Sequence, residues 1–397
     1  MKLVRDSLHF LILSVVTILI GRSGSAASFT HLGQYSPGLS AYSMARSVSA
    51  DGSRVVGVGY VNSGNLEAIV WDASIGVRGL GFLPGGAPYS YALGISDDGS
   101  TIVGSAGYAV RWDASGAIHS LGDLPGPSPW PSTGAATAVS GDGAIIVGVS
   151  DSTTAPYGET FIWDATNGMR GLGDLPGGEA TSQPNAISAD GTIVVGAGST
   201  DSGWEAFIWD EASGMRGLGD LPGGSVYSWA NGVSADGTTI VGKAGSDGGF
   251  EPFRWTAGTG MVGLGDLPSG LHDAAASSVS ADGSVIGGHG RVGPTLKAFL
   301  WDAVSGMQSL EAILTMSGVD LAGWQLLSVN DISADGRTVV GRAINPIGHN
   351  EAFVAVIPEP GVSLFLGIGL VGLSASSSRR PERVHEADGI RLPVCES

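Results

Sequence analysis

Ser188-Ala189-Asp190-Gly191-Thr192-Ile193-Val194-Val195-Gly196 sets an Asp-Gly pair between one apolar run that ends at Ser188 and a second that starts at Ile193. Asp-Gly flanked in this way is a strong hairpin signal, because both central positions of a type I′ turn need positive φ. The Ser-x-Asp-Gly element occurs seven times, with aspartates Asp51, Asp98, Asp142, Asp190, Asp236, Asp282 and Asp335 at intervals of 47, 44, 48, 46, 46 and 53 residues. A unit of this length cannot bury its apolar surface alone and must stack on copies of itself.

Each unit follows one plan. A glycine stands six residues after each aspartate (Gly57, Gly104, Gly148, Gly196, Gly242, Gly288, Gly341), as expected where a strand ends or another backbone comes close. A third strand ends in Trp71, Trp112, Trp163, Trp209, Trp255 or Trp301, and in Ala355 after Phe353 in the last unit. Runs such as Ile193-Val194-Val195 and Phe207-Ile208-Trp209 are apolar on both strand faces, so the sheets are expected to be covered on both sides. A fourth strand passes through Gly-Leu-Gly-Asp-Leu-Pro, where proline withholds a ladder donor and stops the strand.

Counting strands separates a ring from a linear stack. The last unit has three strands and no Leu-Gly-Asp-Leu-Pro, whereas Phe29-Thr30-His31-Leu32-Gly33 precedes the first turn as an orphan fourth strand. This predicts an all-β chain, a seven-bladed β-propeller closed by an N-terminal strand that completes the final blade and removes the exposed edges. The rival is a β-solenoid of seven repeats, which would leave one strand face wet and need terminal caps.

Composition and termini point outside the cytoplasm. Sixty-six glycines, three lysines and 43% hydrophobic residues suit many short strands with tight turns. A net charge of −18 argues against nucleic acid, whose phosphates require a basic surface. Residues 1–27 have the basic, apolar and small-residue regions of a secretory signal peptide. Residues 28–357 form the repeat domain. Residues 358–383 hold Pro358-Glu359-Pro360, an apolar stretch too short for an ordinary span, and Arg379 and Arg380; residues 384–397 are a polar tail. The single cysteine, Cys395, leaves no internal disulfide, so stability rests on packing and ring closure.

Two resemblances rest on these residues. The C-terminal order of Pro358, Glu359, Pro360, apolar stretch and arginine pair resembles the PEP-CTERM sorting signal of exported bacterial proteins. It implies export machinery and an exosortase-type enzyme as partners, transient membrane contact, and a surface or extracellular location with the apolar segment retained or removed. The tail beyond Arg380 departs from that pattern. The repeats resemble the HAF-repeat family of extracellular proteins through the Ser-Ala-Asp-Gly turns, the Ala-Phe-x-Trp strands and the Gly-Leu-Gly-Asp-Leu-Pro segments. Glu205, Lys297 and Glu351 stand where the family name implies histidine, which removes a histidine ring as a metal site. No cofactor and no metal are expected.

The residues outside the repeat carry the functional expectation. Tyr42, Tyr89, Tyr91, Trp130, Trp204, Tyr227, Trp229 and Trp324 all fall in loops expected to open on one face. Variable aromatics on a rigid ring suit ligand binding, with exopolysaccharide as the leading partner because flat rings stack on sugars. The alternative for these rings is packing over the blade tops. The chain is therefore expected to be a monomeric, non-catalytic surface or matrix protein that is not an enzyme. The other class considered is a polysaccharide hydrolase or lyase using loop carboxylates such as Glu179, Asp201, Asp247, Asp273 and Asp320.

Overall fold

The turns form at every expected position, but with a different backbone from the one expected. In the computed structural model, which describes residues 26–33, 42–60, 64–124, 134–152, 155 and 158–358, the Gly52 N–H donates to the Ser49 carbonyl at 2.9 Å. Gly52 has φ +73°, whereas Asp51 is not in the positive-φ region. The element is thus a type I turn followed by a left-handed glycine, not type I′. The Ser and Asp side chains select it. Ser49 Oγ donates to Asp51 Oδ1 (2.7 Å), which also accepts the Ser53 N–H (2.9 Å), and Ser49 Oγ accepts the Arg54 N–H (3.0 Å). The other six turns repeat the serine-to-aspartate bond at 2.6–2.7 Å. The aspartates are therefore scaffold.

Among the described residues the strands form antiparallel sets of four. The sets lie within residues 43–79, 91–120 and 135–171, then in a twelve-stranded sheet over 182–309, and finally in 325–356 joined by strand Ser28–His31. The twelve-stranded sheet is itself three such sets, connected by single parallel bridges at Trp204↔Tyr227 and Phe250↔Asp273. In each set the first strand bulges opposite the glycine that follows the turn. A Cβ at Gly57 would lie 1.9 Å from the Met44 carbonyl oxygen, and one at Gly242 1.9 Å from that of Trp229. Only glycine allows that backbone approach.

The last set uses the front of the chain as its outer strand. Phe29 lies opposite Ala355 and His31 opposite Phe353. The Leu32 N–H donates to the Ala352 carbonyl at 2.9 Å, as Leu80 and Leu218 donate to Ala68 and Ala206 in other sets. Ser43 then accepts the Ala352 N–H at 2.9 Å, the role that Ser90 and Ser228 play for Ala68 and Ala206. The turns are also joined in series by backbone hydrogen bonds of 2.9–3.1 Å. They run from Ala50 to Asp97, Gly141, Ala189, Ala235, Ala281 and Ala334, and from Ala334 to Ala50.

The core lies between adjacent sets, and its deepest side chains are phenylalanines rather than the tryptophans two residues later. Phe161, Phe207, Phe253, Phe299 and Phe353 are fully buried. Phe207 packs on Val147, Ile162 and Leu175 of the preceding set, and Phe253 packs likewise on Val195 and Ile208. Burial of such a ring contributes about 1.5–3 kcal/mol. Of the strand-ending tryptophans, Trp112 and Trp209 are buried and the others are partly exposed; Trp112 also donates to the Leu80 carbonyl (3.0 Å). The cluster of Val48, Val55, Val340, Ala352 and Val354 joins the first set to the last.

The positions expected to hold histidine serve the scaffold as well. Glu205 accepts the Gly219 N–H (3.0 Å), Glu351 faces His31 (3.6 Å), and Lys297 pairs with Glu311 (2.8 Å). Glu311 belongs to the helix Leu310–Met316, which replaces Leu-Gly-Asp-Leu-Pro after strand Gly306–Ser309 and buries Leu310 and Leu314.

Candidate functional site

Each repeat sends one side chain from its first-strand bulge toward a common cavity of about 230 Å³, lined by Arg46, Leu93, Thr137, Asn185, Asn231, Ser277 and Asn330. Most of its polar groups are already used. Asn185 Nδ2 donates to the Ala230 carbonyl (2.8 Å), Asn231 to Ala276 (2.8 Å) and Asn330 to Ala45 (2.7 Å), while Thr137 Oγ1 donates to Pro184 (2.9 Å). Each reaches the next set in sequence, and Asn330 reaches the first. Asp331 accepts four hydrogen bonds, from Ser47 Oγ (2.7 Å), the Val48 N–H (2.9 Å), Ser278 Oγ (2.7 Å) and the Ile332 N–H (2.9 Å). Burial pushes its pKa up while these bonds pull it down, with a net rise. Burial, then the charges of Asp331 and Asp98, also push Asp97 up. This cavity is a set of scaffold latches.

A second cavity, of about 380 Å³, has side chains left over. Asn185 and Asn231 border it, as do Tyr227, Trp229, Lys243, Asp273 and His289. Lys243 lies in register with Trp229, His289 with Ala275, and Arg342 with Ser328, so three basic residues occupy one position on three successive second strands. The Lys243 ammonium lies 5.2 Å from the Tyr227 ring centre and 5.3 Å from that of Phe250. Neither Lys243 nor Arg342 has a carboxylate partner among the described residues, whereas Arg291 pairs with Asp273 (2.6 Å). Burial holds the His289 pKa below the ordinary imidazole value; Asp273 opposes this, and Lys243, Arg342 and Arg291 add to it. The Trp229 Nε1–H is shielded from solvent and has no acceptor.

The expected aromatic site divides into separate groups. Tyr42 meets Tyr60 (ring centres 5.7 Å apart), and Tyr89 meets Tyr91 (5.8 Å). Trp324 packs on Phe29 (5.5 Å) and His31 (5.1 Å) against the core that holds Phe353. Trp204 stacks on Trp229 (4.9 Å), and Tyr227 sits beside Trp229 and Phe250. Only Tyr227 and Trp229 of these border the second cavity. Several of the rings lie on strands rather than loops, because the paired segments Gly203–Asp210, Gly223–Val233 and Tyr91–Ile95 extend through them. Trp130, Glu359, Pro360, Arg379 and Arg380 lie outside the described residues, and Pro358 is the last residue within them.

No family model matches the sequence, and no curated protein does. Among solved structures the chain is similar to a puromycin-hydrolyzing peptidase from Mycobacterium tuberculosis. The two are 16% identical with a TM-score of 0.53, over 80% of this chain and 52% of that one. The β-propeller domain of the Trilobed protease from Pyrococcus furiosus matches at 11% identity and a TM-score of 0.51, over 80% of this chain and 95% of that one. A putative TolB from Agrobacterium tumefaciens matches at 15% identity and a TM-score of 0.46, over 77% of this chain and 99% of that one.

The chain therefore has the all-β fold of a β-propeller. The expectation of a polysaccharide-binding matrix protein is corrected, together with its alternative of a polysaccharide hydrolase or lyase. The solved structures that share the fold are a puromycin-hydrolyzing peptidase and the β-propeller domain of the Trilobed protease, and most of the rings that suggested sugar stacking are spent on each other or on the core. Three of the five carboxylates considered for catalysis are likewise engaged: Asp201 accepts the Gly178 N–H (3.0 Å), Asp320 the Ala322 N–H (2.8 Å), and Asp273 holds Arg291.

Proposed function

Starting from a β-propeller, we propose that this chain is a seven-bladed ring, closed by residues 28–31, that works as an exported partner-binding module without catalysis. Three features support closure: the pairing of Ser28–His31 with Asn350–Val356, the Ala334-to-Ala50 hydrogen bond, and the reach of Asn330 to Ala45. The Trilobed protease propeller is described as having an open velcro topology; here the front strand lies on the last set. The N-terminal secretory pattern and the resemblance of residues 358–380 to an exosortase-processed signal support export.

The observation that carries the binding role is the second cavity, where Lys243 has no acidic partner beside Tyr227 and Trp229. A pocket of this size with a few convergent polar groups is where a rigid ring binds its partner. Tyr227→p-benzoylphenylalanine tests it by photocrosslinking in the native host. A discrete adduct that is absent when the crosslinker replaces Ile75, an exposed residue in the turn before Gly76–Gly79, is the expected result. Equal labelling at both positions, no adduct at Tyr227, or turnover of a captured molecule would overturn the proposal.

A further inference from the structure

One histidine, His289, borders the second cavity, together with Tyr227, Trp229, Lys243 and Asp273. It stands seven residues after its turn aspartate, immediately after the glycine that admits the first-strand bulge. The same column holds Lys243 in the preceding unit and Arg342 in the following one, whereas the equivalent residues elsewhere are Val58, Ser105, Val149 and Ala197. A neutral imidazole thus stands between two cations. A protonated one makes three in succession.

The charges around His289 come from three sets. In its own set, strand Gly270–Val279 brings Asp273 and strand Ile286–Val292 brings Arg291, and these two are paired at 2.6 Å. Strand Thr295–Asp302 places Ala298 opposite His289, and the adjoining Lys297 is held by Glu311 at 2.8 Å. The preceding set supplies Lys243 and the phenol of Tyr227. The following set supplies Arg342, while Asp331 there is occupied by its four hydrogen bonds. Asp273 is the one carboxylate among the described residues that border the cavity, and its pairing with Arg291 is exposed, so exchanging that partner costs little.

Burial disfavours the imidazolium, Asp273 favours it, and Lys243, Arg342 and Arg291 disfavour it further. The folded ring therefore stays neutral at a pH where the unfolded one already carries a proton, and stability is lost as pH falls through the unfolded value. A carboxylate that turns toward the ring limits this loss. Asp273 is placed to transmit the change. It lies at the single parallel bridge to Phe250, whose ring packs on Tyr227 at 5.1 Å, and Tyr227 sits beside Trp229.

Independently of the partner-binding reading, we propose that His289 and Asp273 form an acid-operated switch. On taking up a proton, His289 draws Asp273 away from Arg291 and alters the cavity wall at Tyr227 and Trp229.

The test uses the full chain labelled with 5-fluorotryptophan, the Trp229 fluorine signal being identified by its loss in Trp229→Phe. From pH 8 to pH 4.5 that signal should shift with a midpoint below the ordinary imidazole value. The histidine Hε1 proton that is missing from His289→Gln should titrate with the same midpoint, and His289→Gln should abolish the Trp229 shift. The competition for Asp273 fixes the signs of two further effects. Asp273→Asn should lower the midpoint and Arg291→Gln should raise it, each by about half a pH unit or more, as the loss of a nearby charge requires. Arg170→Gln, at an exposed arginine held by Glu211, should leave the midpoint where it was. No shift of the Trp229 signal in this range, the same shift in His289→Gln, or an unmoved midpoint in Asp273→Asn and Arg291→Gln would overturn the proposal. None of these outcomes depends on whether crosslinking at Tyr227 captures a partner.

Discussion

Asp331→Asn is the sharpest probe of how the last set is held to the first. The carboxylate belongs to the last set, yet it accepts bonds from Ser47 and Val48 of the first set and from Ser278 of the one before. Each oxygen faces one backbone N–H, that of Val48 on Oδ2 and that of Ile332 on Oδ1. An amide has one acceptor and one donor. Either orientation of asparagine therefore points its NH₂ at a backbone N–H and leaves that donor unpaired, at a cost of about 1–3 kcal/mol. The opposing effect is relief of the burial that pushes the Asp331 pKa up. The NH₂ also faces a serine hydroxyl, that of Ser47 or Ser278, which must turn away, so that relief is the smaller of the two. At pH 7, urea denaturation followed by tryptophan fluorescence should show Asp331→Asn with a lower midpoint, and Ser47→Ala should cost less in the Asp331→Asn background than in the wild type. An Asp331→Asn protein as stable as the wild type, or additive losses with Ser47→Ala, would refute the latch.

Other expectations follow from the same geometry. Gly242→Ala, whose Cβ would lie 1.9 Å from the Trp229 carbonyl oxygen, should lose about 3 kcal/mol, while Gly258→Ala, with nothing within 4 Å, should stay within about 0.5 kcal/mol by thermal melting. Phe299→Ala, at a fully buried ring, should cost about 3–5 kcal/mol in the same assay. Hydrogen bonds from their own turns hold six aspartates below the ordinary carboxylate value, the Ser53 N–H first at Asp51 and the serine hydroxyl first at Asp98, Asp142, Asp190, Asp236 and Asp282. Depressed folded values stabilise the fold above the unfolded value of about 3.9, and that contribution is lost as pH falls through the lower folded values. Melting temperatures measured from pH 6 to pH 2 should therefore drop mainly below pH 4, and less steeply in a variant with Asp98, Asp190 and Asp282 changed to Asn.

Much of the fold could be read from the repeat itself. Asp190-Gly191 and its six counterparts marked the hairpins, and Gly196 and its counterparts marked the backbone approach. The orphan Phe29–Gly33 stretch marked the strand that lies on the last set. The turn type could not be read from Asp-Gly alone, because the Ser188 hydroxyl and the Asp190 carboxylate stabilise a type I backbone with glycine in the fourth position. Tryptophan drew attention as the largest repeated ring, yet the phenylalanine two residues earlier is fully buried in five sets, while Trp71, Trp163, Trp255 and Trp301 are partly exposed. The helix Leu310–Met316 was hidden because its short apolar pattern follows a strand that four other units end with Gly-Leu-Gly.

The candidate site was the least legible part. Aromatics outside the repeat suggested one binding face, but whether two rings meet depends on strand register, and Trp204 meets Trp229 while Trp324 meets Phe29. A signal did exist in the column seven residues after each turn aspartate. Lys243, His289 and Arg342 fall in that column at spacings of 46 and 53 residues, the spacings of the turns themselves. The sorting residues at the C-terminus are legible only as a motif.

Closure is tested most directly by cysteine pairing across the proposed join. With Cys395 changed to Ser, Thr30→Cys and Val354→Cys place two thiols opposite one another in the register of Ser28–His31 on Asn350–Val356, within the Cα separation a disulfide tolerates. A closed ring predicts rapid intramolecular disulfide formation under mild oxidation, with residues 28–31 and 350–356 recovered as one linked fragment after proteolysis, and no comparable link between Thr30→Cys and Ile75→Cys. Failure of the Thr30–Val354 pair to form while the protein remains folded would contradict a ring fastened front to back.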